Sequence, residues 1–530
     1  MTKKLFLLPF LFFSIQVFAQ NDDAVKYASG ITVDGLKKHL SVIASEEMQG
    51  RETGTEGQRR AAAYIEEQFK KIGLAIPKGM TGYQQLYPLY QDSLISSTLK
   101  IGKTELVYGT DYLVPANAND KGNFKSKQII FAGYGIEDSK YNDYASLDVK
   151  GKTVILFLGE PKEDGKYLIS GTNRGSEWTF PGLSKKLALA AQKGAAGVLI
   201  INPVQETFNP RAVENSKKTN IVFPRGNNTP SLNFATLSHA AAKRILGENA
   251  DSLFAYAKSN RLFQNNNTLV SNNNNTVFKY DEYRTTINAS NVLGIIEGTD
   301  KKDEYVFLTG HYDHLGMHDG KIYYGADDDG SGTVGVIQMA EAFAKAKEAG
   351  KGPRRTVVFM TVSGEEKGLW GSEYYSEHPV YPLDKTSVDL NTDMVGRIDT
   401  ERKTADTMNY VYVVGHDKLS SDLPVINEGI NKKYTNLVLD YKFDDPNDKE
   451  RIYFRSDHYN FARKGVPVLF FYDGMLKADY HRPTDTIEKI NWTLYETRVR
   501  MIFHTAWEIA NRDEMLKRDI PLPESAANGR

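Results

Sequence analysis

The stretch between Gly310 and Gly371 constrains this chain most, because it uses one arrangement twice: an apolar run that ends in acidic and imidazole side chains. The apolar residues 305–308 lead into the segment GHYDHLG, and the apolar residues 356–360 lead into SGEEKGLWGS. Short apolar runs of this kind are typical of buried strands. In open α/β sheets, ligands and reactive groups gather in the loops beyond the carboxyl ends of the strands. The pattern therefore predicts an α/β fold with a polar site at one edge of its sheet.

The polar side chains in these loops are of the types that bind zinc and similar ions. Cysteine is absent, so any metal must be held by His, Asp and Glu. Two divalent ions about 3.5–4 Å apart can clamp a hydrolytic transition state, and the pair needs a bridging acid, two further acids and two imidazoles. The chain offers such a set at or after predicted strand ends: His311, Asp328, Glu366, Asp393 and His481. We therefore expect a metal-dependent hydrolase.

Two further acids next to the predicted ligands have different predicted roles. Glu365 precedes Glu366, and neighbouring side chains in a loop diverge, so that one can bind metal while the other faces water. We expect Glu365 to be the general base. Asp313 lies two residues after His311 and is suited to accept the second ring N–H of that histidine, which would fix its tautomer and direction.

Other polar residues near these motifs are predicted to have ordinary structural roles. We expect His314 and His318 to be solvated and Asp485 to cap a helix. Arg51 and Glu52 are expected to form a surface ion pair, with a role at the rim of the site as the alternative.

At 530 residues the chain is too long for one ordinary core, so two or more domains are expected. Helical periodicity is strongest at 32–45, 57–72 and 333–349, and Thr493 with Glu496 has the spacing of a capping box for a final helix that ends near Asn511. Residues 20–116 and 276–515 are predicted to form one discontinuous domain, and residues 516–530 a loose tail.

Residues 117–275 are predicted to form an inserted, β-rich domain. Strand-like runs occur at 128–131, 153–157 and 197–201, a helix is predicted over 183–193, and an Asn-rich tract at 265–275 resembles an exit linker. The alternative is that these strands extend the main sheet.

Residues 1–19 have the pattern of a secretory signal peptide that is cleaved after Ala19. The alternative is an uncleaved membrane anchor, although the apolar run is short for crossing a bilayer and no later run reaches about 18 apolar residues. We therefore expect an exported protein, in the periplasm or the medium, without stable membrane insertion. The formal net charge of −1 supplies no basic field for nucleic acid.

Six segments together resemble the co-catalytic zinc peptidases of the M28 family: GHYDHLG, GADDDGSG, SGEEKGLWGS, NTDMVGR, RSDHYNF and YHRPTDT. The resemblance implies a three-layer α/β/α exopeptidase domain with a mixed sheet and two zinc ions per chain. It also implies that Asp328 bridges the ions, that Glu366 and His481 complete one site, and that His311 and Asp393 complete the other. Residues 128–202 resemble a protease-associated domain, which some family members carry inserted before the first of these motifs.

The resemblance also decides which of two histidines, His458 or His481, is the expected metal ligand, a choice that the residues alone leave open. The family pattern puts the ligand at His481 rather than at His458. We therefore interpret Asp457 and His458 as pocket or supporting residues, and Tyr453 and Arg455 as candidate substrate contacts.

The expected activity is that of an exported aminopeptidase that releases N-terminal residues from peptides. A carboxypeptidase or dipeptidase of the glutamate carboxypeptidase type is the alternative within this class, and it would need a cationic pocket such as Arg397, Arg455 or Arg482 could form. Two other classes remain open, namely a glutaminyl cyclase with one zinc and a receptor-like relative without activity. The oligomeric state is left open.

Overall fold

The computed structural model describes residues 23–116, 123–225, 232–263, 275–404, 406–445 and 447–522. The predicted signal peptide, most of the Asn-rich tract and the end of the predicted tail lie outside the described residues. The chain divides into two compact units, one formed by Met1–Pro88 with Asn288–Arg530 and the other by Leu89–Ile287.

The first unit is built on a mixed sheet. The strands of this sheet that follow residue 275 are, in chain order, β1 (Thr276–Ile296, from Asn288 onward in this unit), β2 (Lys301–His311), β3 (Arg355–Val362), β4 (Thr386–Thr392), β5 (Tyr410–Val414), β6 (Val438–Asp440) and β7 (Val468–Tyr472). Their order in space is β1-β3-β2-β4-β7-β5-β6. The strand Gln84–Ile101 also belongs to this sheet and lies next to β1. The four strands β3, β2, β4 and β7 are parallel neighbours, whereas β1 and β5 pair antiparallel with β3 and β7. The carboxyl ends of the four parallel strands therefore lie along one edge.

Two hydrophobic cores cover the two faces of this sheet. Along β2, Val306 and Leu308 belong to one core, and the alternate residues Tyr305 and Phe307 belong to the other. This alternation is the period-two pattern of a strand that is buried on both faces. The structure thus confirms the predicted three-layer α/β/α arrangement.

The helices of the first unit are α1 (Val33–Ile43), α2 (Glu56–Ile72), α3 (Gly330–Glu348), α4 (Trp370–Glu377), α5 (Asp422–Tyr434), α6 (His458–Ala462) and α7 (Trp492–Asn511). The side chain of Thr32 caps the start of α1, and Gly73, in the left-handed conformation, follows α2 where the periodicity of residues 57–72 predicts its end. The predicted capping box at Thr493 is wrong. The N-cap of α7 is Asn491, whose side chain accepts from the Leu494 N–H, while Glu496 accepts from the Val33 N–H at 2.7 Å.

The second unit contains a five-stranded sheet of its own. The strands lie in the order Tyr112–Leu113, Phe234–Leu237, Gly197–Ile201, Thr153–Phe157 and Ile129–Phe131. All neighbours are parallel except the first pair. Short strands occur at Thr104–Leu106, Asn123–Ser126, Glu137–Asp138, Tyr141–Asn142, Lys162–Glu163 and Lys166–Tyr167. Helices lie at Leu183–Gln192, Pro210–Lys217, His239–Leu246 and Ala250–Lys258, so that only the first of the four was predicted.

Among the described residues, no helix combines the length and the apolarity that crossing a bilayer requires.

Candidate metal centre

The candidate site lies at the carboxyl edge of the four parallel strands, where the sequence predicts it. His311 is the last residue of β2, Asp393 directly follows β4, and Glu365 and Glu366 follow β3 within four residues. His481 lies on the segment that follows β7. Because parallel strands place these ends side by side, residues that are distant in sequence meet here.

The carboxylate of Asp328 lies between two groups of side chains. Its Oδ1 is 3.3 Å from His311 Nε2, which is in turn 3.6 Å from Asp393 Oδ1. Its Oδ2 is 3.2 Å from His481 Nε2, which is 3.1 Å from Glu366 Oε2. A carboxylate with one oxygen directed to each group has the geometry of a bridge between two cations. The structure therefore brings together all five residues that the sequence analysis assigned as ligands.

His314 also belongs to this cluster, and the prediction that it is solvated is wrong. The residue is 0% exposed, and its Nδ1 is 2.7 Å from Glu366 Oε1 and 3.8 Å from Asp328 Oδ2. His318 is exposed, as predicted. A loop histidine next to GHYD has no periodicity that would indicate burial, so only the HxxH spacing from His311 could have drawn attention to His314.

Several buried atoms of the cluster lack the hydrogen-bond partners that buried polar atoms normally have. Asp328 Oδ2, Glu366 Oε1 and both ring nitrogens of His314 have none among the described residues. His314 Nδ1, Asp328 Oδ2 and Glu366 Oε1 lie close together, and a bound cation would accept a lone pair from each of them. The donor set of imidazole and carboxylate fits zinc.

The electrostatics of the cluster follow from burial and close packing. Burial alone would raise the pKa of Asp328, but the imidazoles of His314, His311 and His481 outweigh it and hold that pKa well below its usual range. Burial raises the pKa of Glu365 well above its usual range, and the nearby Glu366 and Asp393 carboxylates add to this rise although His311 opposes it. A nearby dication would favour the ionised form of Glu365.

Two carboxylates, those of Asp329 and Asp485, accept hydrogen bonds from backbone N–H groups and so hold the loop that carries Asp328. Asp329 caps α3 by accepting from the Gly332 N–H, and it also accepts from the backbone N–H groups of His311 and Met394. Asp485 accepts from the Asp327 and Asp328 N–H groups at 3.1–3.2 Å. The prediction that Asp485 caps a helix is therefore wrong; it holds the backbone of the bridging residue instead.

Asp313 contacts both His311, at the end of β2, and the backbone of Glu365, the candidate base. Its backbone oxygen is 3.1 Å from His311 Nδ1, whereas its carboxylate is farther away, with Oδ1 at 3.7 Å. The carboxylate accepts instead from the Glu365 N–H at 3.2 Å and from the Thr53 hydroxyl at 2.7 Å. Asp313 is therefore placed to orient both the imidazole of His311 and the loop of Glu365.

Arg51 is fully buried beneath the site, so the predicted surface ion pair with Glu52 is wrong. Its guanidinium donates to the carbonyl oxygens of Ile43, Tyr312, Tyr324 and Gly325 at 2.7–2.9 Å. Glu52 pairs with Lys367 at 2.7 Å instead. The segment around Arg51, MQGRETGTEG, is rich in Gly and Thr and contains nothing that would predict a buried arginine bound to backbone carbonyl oxygens.

A cavity opens next to the three carboxylates Asp328, Glu365 and Asp393. Its wall is otherwise apolar or aromatic apart from one guanidinium, and it includes Met394, Ile452, Arg455, Phe470, Tyr472, Leu476 and Tyr480. The Arg455 guanidinium donates to the Tyr480 hydroxyl at 3.0 Å. The arrangement can hold a small ligand with an apolar part next to the carboxylate cluster.

Of the four residues assigned to the pocket or its support, only Arg455, a predicted substrate contact, lies on this wall. Tyr453, Asp457 and His458 are buried, with exposures of 6%, 1% and 0%. Asp457 accepts from the Ser372 hydroxyl, and the ring of His458 stacks on Phe470 with centroids 4.8 Å apart. All three side chains are buried, and His458 packs against Phe470 of the wall, so they do not line the cavity.

Comparison with known families gives two matches along the chain. Residues 291–506 match the model of Peptidase family M28, and residues 103–236 match that of the PA domain. All five assigned ligands and Glu365 lie in the first matched segment.

Two curated relatives and one solved structure are similar to this chain. A glutamate carboxypeptidase 2 homolog of Caenorhabditis elegans is 24% identical over 445 residues, which cover 74% of this chain and 55% of that protein. A probable leucine aminopeptidase of Trichophyton verrucosum is 28% identical over 225 residues, which cover 41% of this chain and 57% of that protein. The chain thus spans a little over half the length of these relatives. A solved aminopeptidase from Aneurinibacillus sp. strain AM-1 is 17% identical with a TM-score of 0.49, covering 94% of this chain and 99% of that one.

Proposed function

We propose that this protein is a zinc-dependent exopeptidase, and specifically an aminopeptidase, because residues 291–506 match the model of Peptidase family M28 and residues 103–236 match that of the PA domain. The observation that carries the proposal is the Asp328 carboxylate, whose two oxygens lie 3.3 Å from His311 Nε2 and 3.2 Å from His481 Nε2. We propose that two zinc ions bind here, one to His311, Asp328 and Asp393 and the other to Asp328, Glu366 and His481.

Zinc bound at these residues would supply Lewis-acid chemistry, which makes a water acidic near neutral pH and polarises a peptide carbonyl. The chain itself supplies the proton transfer. The Glu365 carboxylate, 3.9 Å from His311 Nε2 and on the cavity wall, accepts a proton from the attacking water and returns it to the leaving amine nitrogen. Asp313 holds the backbone N–H of Glu365 and so fixes the direction of the base.

The cavity wall supports the choice of substrate end. The apolar side chains of Met394, Ile452, Phe470 and Leu476 fit the apolar side chain of an N-terminal residue. The free α-amine of that residue would be attracted by the neighbouring carboxylates.

Arg455 is the observation that favours the carboxypeptidase alternative, because it is a guanidinium on the same wall and could pair with a C-terminal carboxylate. The other two arginine candidates do not fit this role. Arg397 donates to Asp479 at 2.8 Å, and Arg482 is exposed and is not part of the wall.

Blocked peptides separate the two activities. Zinc-loaded protein is incubated with one peptide library in three forms, namely unblocked, N-acetylated and C-amidated, and the products are read by mass spectrometry. An aminopeptidase trims the C-amidated form and leaves the N-acetylated form intact, whereas a carboxypeptidase does the reverse. The Arg455→Met variant adds an independent arm, because loss of the guanidinium should raise KM strongly only for C-terminal trimming. Protein that trims none of the three forms would refute the proposed function.

We also propose that the protein is exported and that residues 117–275 are an insertion in the peptidase domain. The signal-peptide pattern of residues 1–19 supports export, and the PA domain match within 103–236 supports the insertion. N-terminal sequencing of the mature protein should begin at Gln20; a chain that retains Met1 after export would refute the cleavage site.

A further inference from the structure

We propose that His314 is a third imidazole ligand of the metal centre, which binds through Nδ1 to the same ion as Asp328, Glu366 and His481. This inference rests on the proposed function, because it concerns the same pair of zinc ions. It adds a ligand that the sequence analysis placed in solvent.

The first argument is distance. His314 Nδ1 lies 2.7 Å from Glu366 Oε1 and 3.8 Å from Asp328 Oδ2, and the three atoms are close enough to share one ion. His481 Nε2 approaches the other oxygen of Glu366, Oε2, at 3.1 Å. The Glu366 carboxylate thus stands between two imidazoles, and its Oε1 and Oε2 each face one of them. Because zinc–ligand bonds are about 2.0–2.2 Å long, ligand atoms that lie less than about 4 Å apart can reach one ion.

The second argument is the lack of any other partner. The His314 side chain is 0% exposed, and neither of its ring nitrogens has a hydrogen-bond partner among the described residues. Glu366 Oε1 also has none, although His314 Nδ1 is only 2.7 Å away. The two atoms therefore lie close together without the alignment of an N–H donor with its acceptor. Two unpaired buried atoms this close together fit a shared cation, and without it their burial would be costly.

The third argument is the close packing of Gly325 against the His314 imidazole. Gly325 packs against the imidazole so closely that a Cβ at position 325 would stand 2.5 Å from His314 Cγ. The residue has a φ of 55°, which glycine adopts without strain. Because Gly325 begins the GADDDGSG segment, the loop that presents Asp328 also makes room for His314.

A third imidazole makes the two metal sites unequal. The site of His311, Asp328 and Asp393 would have one imidazole, whereas the site of Asp328, Glu366 and His481 would gain a second. The second site should therefore retain zinc more tightly, and loss of His314 should weaken that site selectively.

Zinc titration of chelator-treated protein tests this inference, with a chromophoric chelator as competitor and circular dichroism as the folding control. The compared proteins are wild type, His314→Gln and the matched control His318→Gln, which alters an exposed histidine four residues away. We expect two sites in wild type and in His318→Gln. In His314→Gln, we expect one Kd to rise at least about tenfold, the lower bound for loss even of a supporting residue, with the other unchanged.

A second measurement needs no variant and counts the imidazoles directly. In the proton NMR spectrum of the cobalt(II)-loaded wild type, three hyperfine-shifted imidazole N–H signals should appear that are absent from a sample prepared in D2O. Two such signals, or a His314→Gln protein whose Kd values change less than tenfold, would overturn the inference and leave the proposed function intact. A wild-type protein that binds no zinc would overturn both.

Discussion

Thr53 donates a hydrogen bond from its hydroxyl to Asp313 Oδ2 at 2.7 Å, and the same hydroxyl oxygen accepts from the Gly364 N–H at 2.9 Å. Thr53 is 1% exposed and lies between α1 and α2, more than 250 residues before either partner. A residue of the N-terminal segment thus connects the loop of His311 to the loop of Glu365.

Replacement of Thr53 by Val should slow catalysis without loss of the fold. The methyl group preserves the volume, but the Asp313 carboxylate loses a donor and the Gly364 N–H loses its acceptor, so that Glu365 is held less firmly. Mutation of a supporting residue of this kind lowers activity or metal affinity about 10–100-fold. Steady-state kinetics should show a fall in kcat with little change in KM. Thr53→Ser retains the hydroxyl and should keep most of the activity; equal losses in both variants would contradict this role.

Replacement of Glu365 by Gln should remove turnover and preserve metal content. The amide cannot accept a proton from water, and loss of a general base costs about 10²–10⁴-fold in rate. Elemental analysis should find the same zinc content as in wild type, because Glu365 is not an assigned ligand. Glu47→Gln, an exposed glutamate, is the control for a change of one charge. Turnover that persists at the wild-type rate would refute the assigned base.

Replacement of Arg51 by Met should destabilise the peptidase unit. The change leaves the carbonyl oxygens of Tyr312, Tyr324, Ile43 and Gly325 without their buried donor, which we expect to cost about 3–5 kcal/mol. Urea unfolding followed by tryptophan fluorescence measures this loss. Arg59→Met is the control, because Arg59 pairs with Glu56 on the surface with 52% of its side chain exposed and should matter by less than about 1 kcal/mol. A stability unchanged in Arg51→Met would show that water replaces the guanidinium.

His504 should make the protein less stable in mild acid. Burial lowers the pKa of His504 from 6.5 to about 4, and Arg500 and Lys433 add to the effect. A histidine with a lowered pKa in the folded state contributes stability above its unfolded pKa, and this contribution is lost as the pH falls from about 6.5 towards 4. The loss amounts to at most about 3 kcal/mol.

The His504→Phe variant tests this effect, because phenylalanine can keep the ring stacked on Tyr434, where the centroids are 3.9 Å apart. The free energy of unfolding of wild type should fall more steeply between pH 6.5 and 4 than that of the variant. His378→Phe is the control, since His378 also stacks on a tyrosine but is exposed. Parallel pH profiles for wild type and His504→Phe would rule the mechanism out.

The local sequence pattern predicted the strands, the helix ends and the candidate ligands, because these depend on residues that are close together in the chain. The apolar runs before His311 and Glu365 indicated strands because a strand buried on both faces needs apolar residues in succession. The ligand set followed from the chemistry of its side chains and from the rule that parallel strands end at one edge of a sheet. The end of α2 at Ile72 followed from the helical periodicity of residues 57–72.

Tertiary structure alone decided the surroundings of His314, Arg51 and Asp485. The local sequence of each of these polar residues is typical of solvent exposure, and each is buried because other segments of the chain supply its surroundings. His314 is covered through Gly325, Arg51 binds carbonyl oxygens from three separate segments, and Asp485 meets the backbone of Asp328 across 157 positions. Burial of a polar group depends on where its partners are in space, and no local periodicity contains that information.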